Sequence, residues 1–189
     1  MKLVEATNKH GRISNNWQDV SVEEMKLFIG LLILSGVCRS NHESVRSLWS
    51  HEFGRPIFRD AMSINRFETL CCSLRFDDKT TRSQRQERDK FCAIREIFEI
   101  FARQLPKYFR PSDSVTIDEQ LMAFRGRCSF KQYMPMKPAK YGIKFFIMAC
   151  SETSYALAIK PYLGKVGNKV AKNLAHGVVD ELVRSIEGT

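Results

Sequence analysis

Two adjacent carboxylates, Asp118 and Glu119, lie in the run Val115-Thr116-Ile117-Asp118-Glu119-Gln120-Leu121, at the head of a stretch with almost no other acids. From Gln120 to Val179, ten cations (Arg125, Arg127, Lys131, Lys137, Lys140, Lys144, Lys160, Lys165, Lys169 and Lys172) face a single acid, Glu152. That local excess equals the +9 net charge of the whole 189-residue chain, so the remaining sequence is balanced. Acids beside so one-sided a field suit divalent-metal chemistry on a phosphate polyanion, with carboxylates for the metal and cations for the substrate.

Alternation along a strand separates the two acids. Val115 and Ile117 share one face and Thr116 and Asp118 the other, so Asp118 and Glu119 point apart and cannot serve one metal within a continuous strand. Taken alone, Asp118 reads more readily as a strand-end carboxylate paired with a nearby Arg or Lys than as a catalytic acid. The sequel favours chemistry. Phe124-Arg125-Gly126-Arg127 and then Lys131 to Gly142 interleave cations with aromatics, and Pro135 and Pro138 are expected to hold the backbone extended. Such a segment can follow a phosphate backbone and stack on exposed bases. Arg125 and Arg127 are the leading phosphate contacts, with Lys131, Lys137, Lys140 and Lys144 behind them. Arg125 is equally a candidate partner for Glu119.

The elements that position these residues fall into two kinds, and the expected fold is accordingly α+β or α/β. Residues 1–110 read as helical. Ser21 and Glu24 form a capping box before Met25 to Leu34, a segment apolar nearly all round and expected at the centre of a helical layer, with Ser35-Gly36 ending it. A second helix starts near Ser63 and buries Ile64, Phe67, Leu70, Cys71 and Leu74. A third starts with Asp89 as N-cap and runs to Pro106. Lys79 to Lys90 reads as an exposed connector.

From residue 111 the period changes. Val115 to Leu121, Gly142 to Cys150 and Tyr155 to Ile159 read as three strands. Gly164, Gly167 and Asn168 mark a loop. A helix over Lys169 to Ile186 then buries Leu174, Val178, Val179, Leu182, Val183 and Ile186.

A 43% apolar and 27% charged composition is that of a globular protein. Six cysteines show no zinc-like spacing, four scattered histidines are assigned no metal, and buried free thiols point to a reducing compartment. Trp17 and Trp49 read as packing anchors. Leu27 to Leu34, the longest apolar run, is too short to span a bilayer, and the polar residues from Glu5 argue against a cleavable signal peptide.

Specific motifs add a resemblance. Thr116-Ile117-Asp118-Glu119-Gln120-Leu121, Phe124-Arg125-Gly126-Arg127 and Tyr133-Met134-Pro135-Met136-Lys137-Pro138-Ala139-Lys140-Tyr141-Gly142-Ile143-Lys144 closely resemble the piggyBac transposase family. Upstream the likeness extends through Phe28 to Val37, Arg46 to Trp49, Leu74 to Asp78 and Asp89 to Phe91, and downstream through Tyr162-Leu163-Gly164.

The resemblance implies a helical dimerisation and DNA-binding region (1–110) followed by the start of a ribonuclease H-like catalytic core (111–189), incomplete here as three strands and a helix. In the complete family site three aspartates hold two Mg²⁺ or Mn²⁺ ions for in-line phosphodiester attack. Asp118 matches the first aspartate, and is the residue the resemblance assigns to catalysis and metal binding. The sequence ends at Thr189, before the second aspartate's motif, so the expectation is that this polypeptide alone neither cuts nor joins DNA. The implied partners are transposon-end DNA and a second copy or full-length relative, in the nucleus, with no membrane. Two alternatives stay open. One is a domesticated module that binds DNA or dimerises without catalysis, and the other is a gene fragment with no function of its own.

Overall fold

The computed structural model describes residues 2–164 and 174–184. Packing divides the chain into two compact units, 1–83 and 84–189. In the first lie α1 (Lys2–Gly11), α2 (Val22–Val37), α3 (Val45–Leu48), α4 (Pro56–Ala61) and α5 (Ile64–Ser73). Serine caps begin the two helices expected from sequence: Ser21 accepts from the Glu24 amide at 3.1 Å, and Ser63 from the Arg66 amide at 3.3 Å. The core gathers Met25, Phe28 and Leu31 of α2 with Trp49, Phe58, Phe67 and Leu70. Trp49 is the packing anchor its size predicts. Its ring centroid lies 4.7 Å from Phe67 and 5.1 Å from Phe58, and its indole N–H donates to the Met62 carbonyl at 2.7 Å.

Helix α1 places Leu3 in this core with Val4 packed against it, and polar side chains add to its attachment. Asn8 is buried and exchanges two hydrogen bonds with the Val20 backbone, 3.0 and 2.8 Å. Thr7 bridges to the Arg75 amide at 3.2 Å.

Three helical expectations change in the structure. α2 buries one face only, leaving Leu27, Ile33 and Val37 exposed, and it runs through Ser35-Gly36 to Val37. Lys79 to Lys90 is largely helical: a 3₁₀ turn at Lys79–Thr81 leads into α6 (Arg82–Arg88). Asp89 caps no helix. It accepts from the Phe91 amide at 2.9 Å and pairs with Arg95, so α7 (Arg95–Ala102) starts six residues later. Of the six cysteines, all free, Cys150 alone is buried, while Cys71 and Cys72 are exposed.

The second unit is built on an antiparallel sheet of β1 (Val115–Ala123), β2 (Gln132–Tyr133), β3 (Tyr141–Cys150) and β4 (Ala156–Pro161). β3 is its spine, pairing with β1 on one side and with β2 and β4 on the other. β4 starts one residue later than the sequence pattern indicates and continues to Pro161, and β2 is an additional short strand. On one face α8 (Leu174–Arg184) packs Val178 and Leu182 against Met148, Leu157 and Ala158. Val179 and Val183 are exposed rather than buried, and Ile186, Gly167 and Asn168 lie outside the described residues. On the other face Phe98 of α7 meets Phe145 at 5.9 Å and Phe91 at 5.1 Å. Among the described residues no helix is long and apolar enough to cross a membrane.

Glu24 and Arg66, which join α2 to α5 through two hydrogen bonds of 2.7 and 2.8 Å, offer a test of the first unit. The hydrogen bonds from Arg66 hold the Glu24 carboxyl below its ordinary value. A depressed folded-state value stabilises the fold above the unfolded carboxyl's pKa of about 4.3, and this is lost as pH falls through the folded-state value. Glu24→Gln is expected to lower stability by about 1–3 kcal/mol at neutral pH. The gap to wild type should close in acid, as read by urea unfolding followed by tryptophan fluorescence. A gap independent of pH would rule the ion pair out as the cause.

Candidate functional site

Alternation along β1 decides the fate of each acid. Ile117, Glu119 and Leu121 are half-buried, while Thr116, Asp118, Gln120 and Met122 are exposed on the opposite face. In the register Glu119 faces Phe146 and Asp118 faces Ile147. Gly142 permits the close approach at the end of this ladder, since a Cβ there would lie 2.1 Å from the Met122 carbonyl oxygen.

Glu119 is committed to structure. Lys144, one register step along β3, forms a salt bridge with its carboxylate. The Lys144 ammonium also sits 4.7 Å from the Phe146 ring centroid and 5.5 Å from that of Tyr162. Lys137 donates to the Glu119 carbonyl at 3.2 Å. The partner of Glu119 is therefore Lys144, not Arg125. Register carries this pairing, and sequence separation gives no cue to it.

Asp118 is the contrasting case. Its side chain is exposed, and among the described residues no cation pairs with it. Among the described residues, the strand-end ion pair that its position allows is not formed. No group of three or more His, Cys, Asp or Glu residues that could hold a metal occurs among the described residues.

The basic segment is folded back rather than extended. After β2, Met134 to Lys140 turns tightly, with hydrogen bonds from the Lys137 amide to the Met134 carbonyl (3.0 Å) and from the Met134 amide to the Lys140 carbonyl (2.7 Å). Lys140 takes φ 47°, in the left-handed region. Pro138 suits this turn because its fixed φ matches an early turn position.

Arg125 and Arg127 lie in the exposed loop after β1, and among the described residues no acid pairs with either. Lys131 is tethered, donating to the Gly126 carbonyl at 3.2 Å and lying 5.9 Å from the Tyr141 ring centroid. The structure thus brings Arg125, Arg127 and Lys131 to one end of the β1–β3 ladder and sets Lys137 and Lys144 around Glu119. The register also sets the Tyr133 ring against that of Tyr141 with the planes tilted, which interleaving alone does not reveal.

Over residues 1–189 the chain matches the family described as Transposase IS4. Among curated proteins it is similar to the human PiggyBac transposable element-derived protein 3, 28% identical over 164 residues, covering 85% of this chain and 26% of that protein. It is also similar to the human PiggyBac transposable element-derived protein 2, 25% identical over 179 residues, covering 93% of this chain and 29% of that protein. Among solved structures it is similar to a piggyBac transposase seen by cryo-electron microscopy in a synaptic complex with hairpin DNA. There the TM-score is 0.89 and the identity 34%, covering 100% of this chain and 41% of that one. The chain therefore spans less than a third of the curated relatives' length and under half of the solved chain.

The different commitments of the two acids predict different stabilities. Asp118→Asn should change unfolding free energy by no more than about 0.5 kcal/mol, as for an unpaired surface group. Lys144→Met, which leaves Glu119 without its partner, should cost about 1–3 kcal/mol. Urea unfolding of both variants checks this, and equal losses would contradict the division of roles.

Proposed function

The chain belongs to the Transposase IS4 family and is one of its piggyBac-type members, and from that premise we propose that it is the part of a DNA transposase that holds DNA beside the first catalytic carboxylate. The observation that carries this reading is the exposed Asp118, without an ion-pair partner among the described residues, at the head of a segment rich in cations and free of acids as far as Glu152. Likeness to a piggyBac transposase in complex with hairpin DNA supports DNA as the partner. It also supports reading the antiparallel sheet with α8 as the opening of a ribonuclease H-like core, and reading the helices before it as a region for DNA binding and self-association. A protein acting on chromosomal DNA works in the nucleus.

Within this reading the cations differ in role. Arg125, Arg127 and Lys140, all exposed, contact phosphates directly, the arginines through two-pronged hydrogen bonds. Lys131, Lys137 and Lys144 hold the loop and strand ends and add positive potential from fixed positions.

Asp118 fits a hard divalent cation, because an exposed carboxylate with no ion-pair partner among the described residues offers the oxygen ligands that Mg²⁺ or Mn²⁺ prefers. Such an ion supplies Lewis-acid polarisation of the phosphodiester and activation of the attacking oxygen. Asp118 would be one ligand of that site. Its further ligands come from outside the described residues, since no cluster of three forms within them.

Two measurements test these roles. Binding to duplex DNA should weaken steeply with salt, and Arg125→Ala or Arg127→Ala should each reduce the log–log salt slope by about one. Asp118→Asn should leave that slope unchanged. An affinity for DNA insensitive to salt would sink the backbone-binding role. For the metal, Mn²⁺ added to the chain should broaden NMR signals around Asp118, and Asp118→Asn should abolish the effect. Broadening centred on other residues, or surviving the substitution, would remove Asp118 from metal binding.

A further inference from the structure

We infer that Tyr133 and Tyr141 form a stacking platform for a single unpaired base of bound DNA, an inference that rests on the DNA-binding reading above. The two residues are cross-strand partners between β2 and β3. Their ring centroids are 4.7 Å apart with planes at 33°, yet the residues are 58% and 54% exposed. More than half of each residue therefore remains for a ligand to cover, and covering aromatic surface is favourable. Here the pair stays open.

The platform is also held rigidly. Tyr133 precedes the turn that Lys137 and Lys140 close, and the Tyr141 carbonyl accepts from the Phe124 amide at 3.3 Å. Lys131 lies 5.9 Å from the Tyr141 ring centroid and donates to the Gly126 carbonyl, which sits between Arg125 and Arg127. One lysine therefore ties the exposed rings to the loop carrying two guanidiniums that pair with no acid among the described residues. Aromatic faces flanked by cations are how proteins hold single-stranded nucleic acid, the ring taking the base and the cations its flanking phosphates. A base inside a duplex already has both faces stacked, so a base freed from its pair is the occupant this surface fits.

The platform holds DNA and does not take part in the reaction. Tyr141 lies six residues along β3 from Ile147, the register partner of Asp118. At about 3.3 Å per residue that is roughly 20 Å from the carboxylate, on the same sheet face.

The test compares the whole chain's affinity for a paired duplex with that for the same duplex carrying a short single-stranded gap, by fluorescence anisotropy. Wild type should prefer the gapped DNA by about 5- to 100-fold. Tyr133→Leu and Tyr141→Leu keep apolar bulk in the hairpin but lose the ring, and should erase the preference while leaving duplex affinity and its salt slope within about twofold of wild type. Tyr→Phe at either position should retain the preference.

A wild type without preference for the gap, or Leu variants that keep it, would overturn the platform. Salt-insensitive binding combined with a tyrosine-dependent preference would overturn the phosphate-contact reading and leave the platform standing. Failure of wild type to bind either DNA would remove both.

Discussion

The two-residue period of β1, fixed by its register against β3, is the constraint on which the site depends. It sends Glu119 to the face where Lys144 waits, ringed by Phe146 and Tyr162, and sends Asp118 to the opposite face, where no cation among the described residues meets it. Slipping the register by one residue would exchange the two acids. Gly142 guards against this. At that point β1 and β3 approach too closely for any Cβ, so the pairing of Ala123 with residue 142 is tied to glycine. A structural ion pair and an open carboxylate can therefore be neighbours in sequence without competing for the same partner.

The same arrangement sorts the positive charge. A lysine bound to a backbone carbonyl or an acid still contributes to the local potential, but it has lost the freedom to follow a ligand, whereas an exposed arginine in a loop has kept it. Lys137 and Lys144 anchor β3 and its preceding turn to β1, and Lys131 anchors the loop holding Arg125 and Arg127. Tethered charges thus frame the exposed ones.

Much of this was legible in the sequence wherever a local rule set the structure. Ser21 and Ser63 cap their helices, β1 follows its alternation, and β3 forms over the expected run. The likeness in motif to piggyBac transposases agrees with the family match. Features that depend on distant partners were not legible. Helix α1 is held in part by Asn8 and Thr7 bonding to the backbone of Val20 and Arg75, distant partners that its own sequence does not announce. The spacing of Phe91, Ile94 and Phe98 looks helical from Asp89 onward, but Arg95 draws the Asp89 carboxylate into a tight turn and delays the helix. Both prolines of the basic segment are compatible with extended chain. The hydrogen bonds between Met134, Lys137 and Lys140 fold it back, and that fold alone brings Tyr133 onto Tyr141.

Rigidity along β3 gives these parts a common frame. Tyr141, Phe145 and Ile147 alternate onto one face, so the tyrosine pair and the strand position opposite Asp118 belong to a single backbone segment. Between them Phe145 is buried, with Phe98 of α7 5.9 Å away and Phe91 behind it. Burying a phenylalanine at the middle of a strand resists bending there, because any tilt opens a gap that nearby side chains fill only in part. The centre of the face is thus given to packing and its two ends to exposed groups. A strand pinned in this way keeps the distance from Asp118 to the basic, aromatic end constant, which a flexible crossover of the same composition could not do.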